Sequence, residues 1–202
     1  SRLDRRMEQM EAEGVIFKPN SHIGIDIDAN ELSKEVDALI LTGGACARRD
    51  LPIPGRELKG VYQAMDYLPQ SNRICMGDNV PEDELIDAKG KHVVIIGGGD
   101  TGADCIGTAH RQGAASIISL EIMPRPPEAR AADNPWPQWP FVLRTTSAHE
   151  EGGERLFAVQ TNQFVGDDAG NLKELELVKV EIERNAGSVC FNEVPNSRKT
   201  LK

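Results

Sequence analysis

The sequence is poor in aromatic residues: two tryptophans, two tyrosines and five phenylalanines among 202 residues. Branched aliphatic side chains must therefore fill any core. It also lacks an excess of positive charge. Its 23 lysines and arginines face 32 aspartates and glutamates, and the formal charge of −9 argues against nucleic acid or an anionic membrane surface as a partner. No apolar run approaches the roughly 20 residues of a membrane span, and no secretory-leader pattern is present. The four cysteines, Cys46, Cys75, Cys105 and Cys190, make no C-x-x-C pair and no metal-ligand spacing. They are expected to be reduced thiols of a cytoplasmic protein, two or three of them packed as small apolar groups.

What is present suits a globular protein, with 39% hydrophobic and 27% charged residues. The length allows one large domain, or one domain and part of another. The chain opens on SRLDRRMEQMEAEGV, already inside an amphipathic helical pattern, and ends on EVPNSRKTLK. It is expected to be a piece of a longer protein.

Leu3, Met7 and Met10 recur at helical spacing up to Gly14, a helix stop signal. Val15–Phe17, the alternating Ile23, Ile25 and Ile27, and the apolar run Asp37–Ala45 predict strands. The prolines and glycines of ARRDLPIPGRELKG predict a connection between two lobes, VYQAMDYLPQ a short helix, and GDNVPEDELIDAKG an acidic surface loop. His92–Ile96 predicts a strand, about Asp104 to Gln112 a helix stopped by Gly113, and Ser116–Ile122 a second strand. Together they form a βαβ unit with a parallel sheet. The proline-rich Met123–Pro140 admits neither helix nor strand, and Trp136 and Trp139 are expected to pin it to the domain. RLFAVQTNQFVG and LKELELVKVEIER alternate about the turn DDAGN, and SVCFNEV follows NAG. The fold class is thus α/β: a Rossmann-like parallel sheet with an appended antiparallel meander of two or three strands.

Gly97, Gly99 and Gly102 fit G-x-G-x-x-G, with a strand before and a helix after. Gly97 permits a tight turn, Gly99 leaves room for a pyrophosphate, and Gly102 lets helix lie close on strand. The helix N-terminus adds free N–H groups and partial positive charge. Gly97, Gly98, Gly99, Asp100, Thr101 and Gly102 are therefore candidates for binding a dinucleotide; the bland alternative is a packing turn without a ligand. Glu121, 24 residues beyond Gly97, stands where a carboxylate accepts from a ribose 2′-OH and repels a 2′-phosphate, which favours NADH, or is a solvated strand end. Arg125 and Arg130 carry the opposite reading, as partners of the 2′-phosphate of NADPH, or are plain surface arginines. No catalytic nucleophile, acid or base stands out. AHEEGGER reads as a solvated helix end, which leaves His149 without an assigned role.

GKHVVIIGGGDTGADCIGTAHRQGAASI, LEIMPRPPEAR, NPWPQWP and HEEGGER occur in this order, behind ALILTGGACARRDLPIPGRELKGVYQAMDYL. These segments closely resemble the glutamate synthase small (beta) subunit, and equally the C-terminal region of the fused NADH-dependent enzyme. The resemblance implies a flavoprotein reductase in which a nicotinamide domain is inserted into an FAD domain. It implies hydride transfer from NAD(P)H to FAD, and electron passage through iron–sulfur clusters to a large (alpha) subunit that makes glutamate from glutamine and 2-oxoglutarate. Gly97, Gly99, Asp100, Thr101 and Gly102 would form the nicotinamide-cofactor turn. Relatives using NADPH tend to carry paired arginines past the second strand, where this chain has Glu121, Ile122 and Met123.

The family's cysteine-rich N-terminal region, its first glycine motif and its final FAD-contacting segment have no counterpart here. Residues 1–57 are expected to be part of the FAD-type domain, and residues 58–202 an NAD(P)-binding domain incomplete at its C-terminus. Such a piece is expected to bind NAD(H) weakly and to be inactive alone. The rival readings are a subunit of another FAD/NAD(P)-dependent oxidoreductase and a non-catalytic binding or scaffold module.

Overall fold

The structure is a computed structural model that describes residues 2–44, 47–185 and 188–202. The chain divides into two compact units, Ser1–Ala47 and Arg48–Lys202.

The first unit contains helix α1 (Arg2–Ala12) and helix α2 (Ala29–Lys34). Asp28 caps α2, its carboxylate accepting the N–H groups of Asn30 and Glu31. The expected strands do not form among the described residues. Val15–Phe17 and the described part of Asp37–Ala45 carry no ladder, and Ile23 and Ile27 meet only in an isolated bridge around a turn. None of the unit's described residues is buried, and Ile25, Ile40 and Leu41 are 74%, 81% and 84% exposed. Alternation gives a segment the capacity to be a strand, but the backbone needs a neighbour to satisfy its hydrogen bonds, and the unit's described residues supply none.

The second unit begins with a segment that is not a mere connection. Leu51, Ile53, Leu58 and Val61 pack into an apolar cluster around Phe164 and Leu175. Phe164 N–H donates to the Pro54 carbonyl at 2.9 Å, and Leu172 N–H to that of Lys59 at 2.8 Å. Gly55 sits at φ +83°, so close beneath Phe164 that a Cβ would collide with its carbonyl. Helix α3 (Ala64–Cys75) follows, running past Pro69.

Strand β1 (His92–Ile96), helix α4 (Asp100–Gln112) and strand β2 (Ser116–Glu121) make the βαβ unit. Helix α4 starts earlier than expected, at Asp100 and not near Asp104, because Gly99 in extended backbone already serves as its N-cap; Gly102 thus lies inside the first turn. Gly113 ends the helix at φ +82°, in the left-handed region. Tyr67 on α3 donates its hydroxyl to Gln112 Oε1 at 2.8 Å, and the same oxygen accepts the Ala88 N–H at 2.9 Å. Ile95, Cys105, Ile106, Ala109, Ile117 and Tyr67 form the core between α3, α4 and the sheet.

RLFAVQTNQFVG is not one strand. Helix α5 (Ser147–Glu150) leads into β3 (Glu154–Phe157), which pairs parallel to β2 and completes a β1-β2-β3 sheet. Ala158, at φ +54°, then breaks the chain away into β4 (Val159–Gly166). Strand β4 pairs antiparallel with β5 (Leu172–Asn185), which pairs in turn with β6 (Ser188–Glu193) and with the short β7 (Lys199–Leu201). Among the described residues the antiparallel sheet therefore has four strands, not two or three: a β4-β5-β6 meander with β7 added beside β5. The Ala186–Gly187 part of the NAG turn lies outside the described residues. Leu120 of the parallel sheet packs against Phe164, Leu175 and Leu177 of the antiparallel one, so the two sheets share a core. Of the described cysteines Cys105 is buried and Cys75 and Cys190 are exposed; Cys46, the fourth of the expected thiols, lies outside the described residues.

Candidate functional site: the glycine turn and the end of the second strand

Strand β1 delivers Gly97 to the C-terminal edge of the parallel sheet. Gly97 adopts φ +118°, which only glycine takes readily, and its N–H donates to the Leu120 carbonyl at 2.8 Å. The chain then enters α4, whose N-terminus no side chain caps. The N–H groups of its first turn and the positive end of the helix dipole are thus available to an anion. Two further glycines shape the space. A Cβ at Gly102 would strike the Gly97 carbonyl, so this residue sets how closely helix lies on strand. A Cβ at Gly99 would meet nothing within 4 Å. The open volume at Gly99, beside an uncapped helix start, has the shape and polarity that suit a pyrophosphate.

Glu121, the last residue of β2, closes one side of this turn. Its Oε2 accepts the Gly98 N–H at 2.7 Å and its Oε1 accepts the Met123 N–H at 3.0 Å. The carboxylate is half-buried and anchored to main chain through both oxygens, not a solvated strand end. It lies so near Gly98 that a Cβ there would stand 2.5 Å from Oε2. The requirement for glycine at position 98 has no signature in the spacing, because it comes from a contact across 23 residues.

The other predicted residues are distributed differently. Asp100 and Thr101 are exposed at the start of α4, and Asp100 lines a shallow groove with Asp104, Arg111 and Ser147. Arg125 forms an exposed ion pair with Glu128 at 2.6 Å. Arg130 is turned into its own loop, donating from one guanidinium nitrogen to the carbonyls of Asn134 and Gln138, both at 3.0 Å. Asn134 completes that loop by donating to the Trp139 carbonyl at 3.1 Å and accepting the Phe141 N–H at 2.8 Å. Trp136 and Trp139 do not pin the loop to the domain. They are 83% and 76% exposed, and Arg144 lies over the Trp139 ring, 4.3 Å from its centre. Polar side chains meeting loop carbonyls do the ordering that the tryptophans were expected to do.

His149 has a structural place. Its Nδ1 accepts the Thr146 N–H at 3.1 Å and lies 2.9 Å from the Thr146 hydroxyl, closing the first turn of α5. Burial, and then the nearby Arg155 charge, lower its pKa below the ordinary histidine value. Burial pushes the Cys105 thiol up to about 11, with Asp104 adding to it, and Tyr67 up to about 12, with Cys105 and Asp87 adding. These thiol and phenol groups stay protonated and unreactive at neutral pH. Among the described residues no group of three or more His, Cys, Asp or Glu is placed to hold a metal ion. Among the same residues no helix is long and apolar enough to cross a membrane.

The site is an open glycine turn beside an uncapped helix start, with an anchored carboxylate on one side. A family model described as pyridine nucleotide-disulphide oxidoreductase matches residues 4–139. The chain belongs to this family. Within it, the chain is 58% identical over 169 residues to the glutamate synthase [NADPH] small chain of Mycobacterium tuberculosis, covering 82% of this chain and 35% of that one. It is 43% identical over 204 residues to the Bacillus subtilis protein of the same name, covering 98% and 41%. It is 39% identical over 209 residues to the glutamate synthase [NADH] of Saccharomyces cerevisiae, covering 99% and 10%. The chain thus spans about a third to two-fifths of the small chains it matches. In fold it is similar to FprA of Mycobacterium tuberculosis, solved in complex with NADPH, with a TM-score of 0.58 at 17% identity over 99% of this chain and 55% of that one. At that identity the likeness speaks for the fold alone.

Proposed function

We propose that this chain is the nicotinamide-nucleotide-binding part of a glutamate synthase small subunit, or of the matching region of the fused enzyme. The observation that carries this reading is the joint geometry of the glycine turn and Glu121: Gly97 at a positive φ, open space at Gly99, an uncapped helix start, and an anchored carboxylate at the end of β2. Residues 58–202 supply the NAD(P)-binding domain, and residues 1–57 contribute to an FAD-type domain. In the whole protein, placed by this reading in the cytoplasm, bound NAD(P)H and FAD would supply hydride transfer, and iron–sulfur clusters would supply the electron path to the large subunit, where glutamine and 2-oxoglutarate would yield glutamate.

The nicotinamide nucleotide, when bound, supplies the hydride. This chain's residues bind and orient it. The first-turn N–H groups of α4 would hold the pyrophosphate, and Glu121 would accept from the ribose hydroxyls. Arg125 and Arg130 are both committed within their own loop, which favours NADH over NADPH. The described residues offer no set of ligands for iron–sulfur clusters, and those are assigned to other parts of the protein.

Anaerobic mixing of the intact flavoprotein with NADH tests the reading. Rapid bleaching of the flavin absorbance is expected. A flavin that stays oxidised with both NADH and NADPH contradicts it.

A further inference from the structure

Glu121 is usable as a ribose reader only if its carboxylate is held in place, and what holds it is Gly98. A carboxylate offers about four acceptor positions. Here two are taken by main-chain donors, Gly98 N–H to Oε2 at 2.7 Å and Met123 N–H to Oε1 at 3.0 Å. Two remain, one on each oxygen, which matches the two adjacent hydroxyls of a ribose. Charge-assisted bonds from main chain fix the orientation of the group before any nucleotide arrives.

The three heavy atoms nearest to a Cβ built on Gly98 all belong to Glu121: Oε2 at 2.5 Å, Cδ at 3.3 Å and Cβ at 3.4 Å. Gly98 does not take a positive φ, so its backbone accepts an alanine. The conflict lies with the mobile end of one side chain, not with the fold. The absent side chain at position 98 is the seat of the Glu121 carboxylate.

We propose that Gly98 is a positioning residue for nucleotide selectivity, acting through Glu121 to favour a ribose with free 2′- and 3′-hydroxyls over a 2′-phosphorylated one. This rests on the nucleotide-binding reading above. Gly98→Ala would swing the carboxylate out of its seat, removing both the hydroxyl acceptors and the negative charge that repels a 2′-phosphate. Gly99→Ala should behave otherwise, because its Cβ would project into the open space assigned to the pyrophosphate, which both nucleotides share.

The test is calorimetric titration of the intact protein and its G98A, E121Q, G98A/E121Q and G99A variants with NADH and NADPH separately. Wild type is expected to prefer NADH. In G98A the NADH affinity should fall roughly tenfold or more, as for losing hydrogen bonds to a charged acceptor, while NADPH affinity holds or rises. The double variant should bind NADH no worse than E121Q alone, since both changes disable one group. G99A should weaken both nucleotides alike. An unchanged preference in G98A, or full additivity with E121Q, overturns the positioning role while the nucleotide reading stands. Failure of wild type to bind either nucleotide overturns both.

Discussion

The carbonyl oxygen of Gly97 occupies the place that a Cβ on Gly102 would need. The first residue of the glycine turn and the first turn of α4 are thus in direct backbone contact, and the angle at which the helix N-terminus meets the turn depends on that contact. Gly102→Ala must push α4 away from β1, since a backbone carbonyl, unlike a side-chain end, cannot rotate aside. The expected cost is about 1–3 kcal/mol of stability, the usual range for overpacking. It should come with weaker binding of NADH and NADPH alike, measured by denaturant unfolding and by titration.

The seat of α5 is sensitive to pH through His149. Its Nδ1 accepts from Thr146, so the neutral ring is the form the fold uses, and its pKa is lowered by burial and then by Arg155. Because the folded value lies below the unfolded one, the unfolded chain binds the proton more readily as pH falls. This contribution to stability is complete above about pH 6.5 and is lost as pH drops through the folded value. Thermal melts between pH 7.5 and 5 should show a decline that His149→Gln reduces, since glutamine supplies the same acceptor without titrating. An equal decline in both proteins would remove His149 from the account.

Cys105 is buried with its pKa raised to about 11, while Cys75 and Cys190 are exposed. Alkylation at pH 8 followed by mass spectrometry should label Cys75 and Cys190 in the native chain and reach Cys105 only on unfolding. Early labelling of Cys105 would mean that the core between α4 and the sheet opens readily.

The tryptophans offer an optical check on the proline-rich loop. Both are largely exposed, and the loop is ordered by Arg130 and Asn134. Tryptophan emission of this chain should be red-shifted and strongly quenched by acrylamide. Arg130→Ala should raise proteolytic cleavage between Met123 and Pro140 while leaving the far-UV dichroism unchanged. A blue, protected emission would place the rings against apolar surface.

The βαβ unit was legible because its two strands are continuous apolar runs and its turn carries glycine where backbone strain demands it, at Gly97 and Gly113. Strand β3 was hidden because alternation runs on unbroken from Arg155 into β4, and the break falls at Ala158, a residue with no turn signature. The apolar runs at Ile23–Ile27 and Leu39–Leu41 misled for the opposite reason: composition states what a segment can do, and pairing decides what it does. At the site, spacing led to Glu121, but no spacing reveals that its carboxylate rests on Gly98 or that Arg130 faces its own loop. Those are contacts between side chains and particular main-chain groups, which periodicity does not encode.

In the proposed function the turn from Gly97 to Gly102 cradles a nicotinamide nucleotide. The most direct test of this is an amide NMR titration of the intact, isotopically labelled protein with NADH. Shifts should concentrate on Gly98, Gly99, Asp100, Thr101, Gly102 and Met123, and saturate with a single dissociation constant. Saturable shifts elsewhere with these amides unmoved, or no shifts at all, would contradict it.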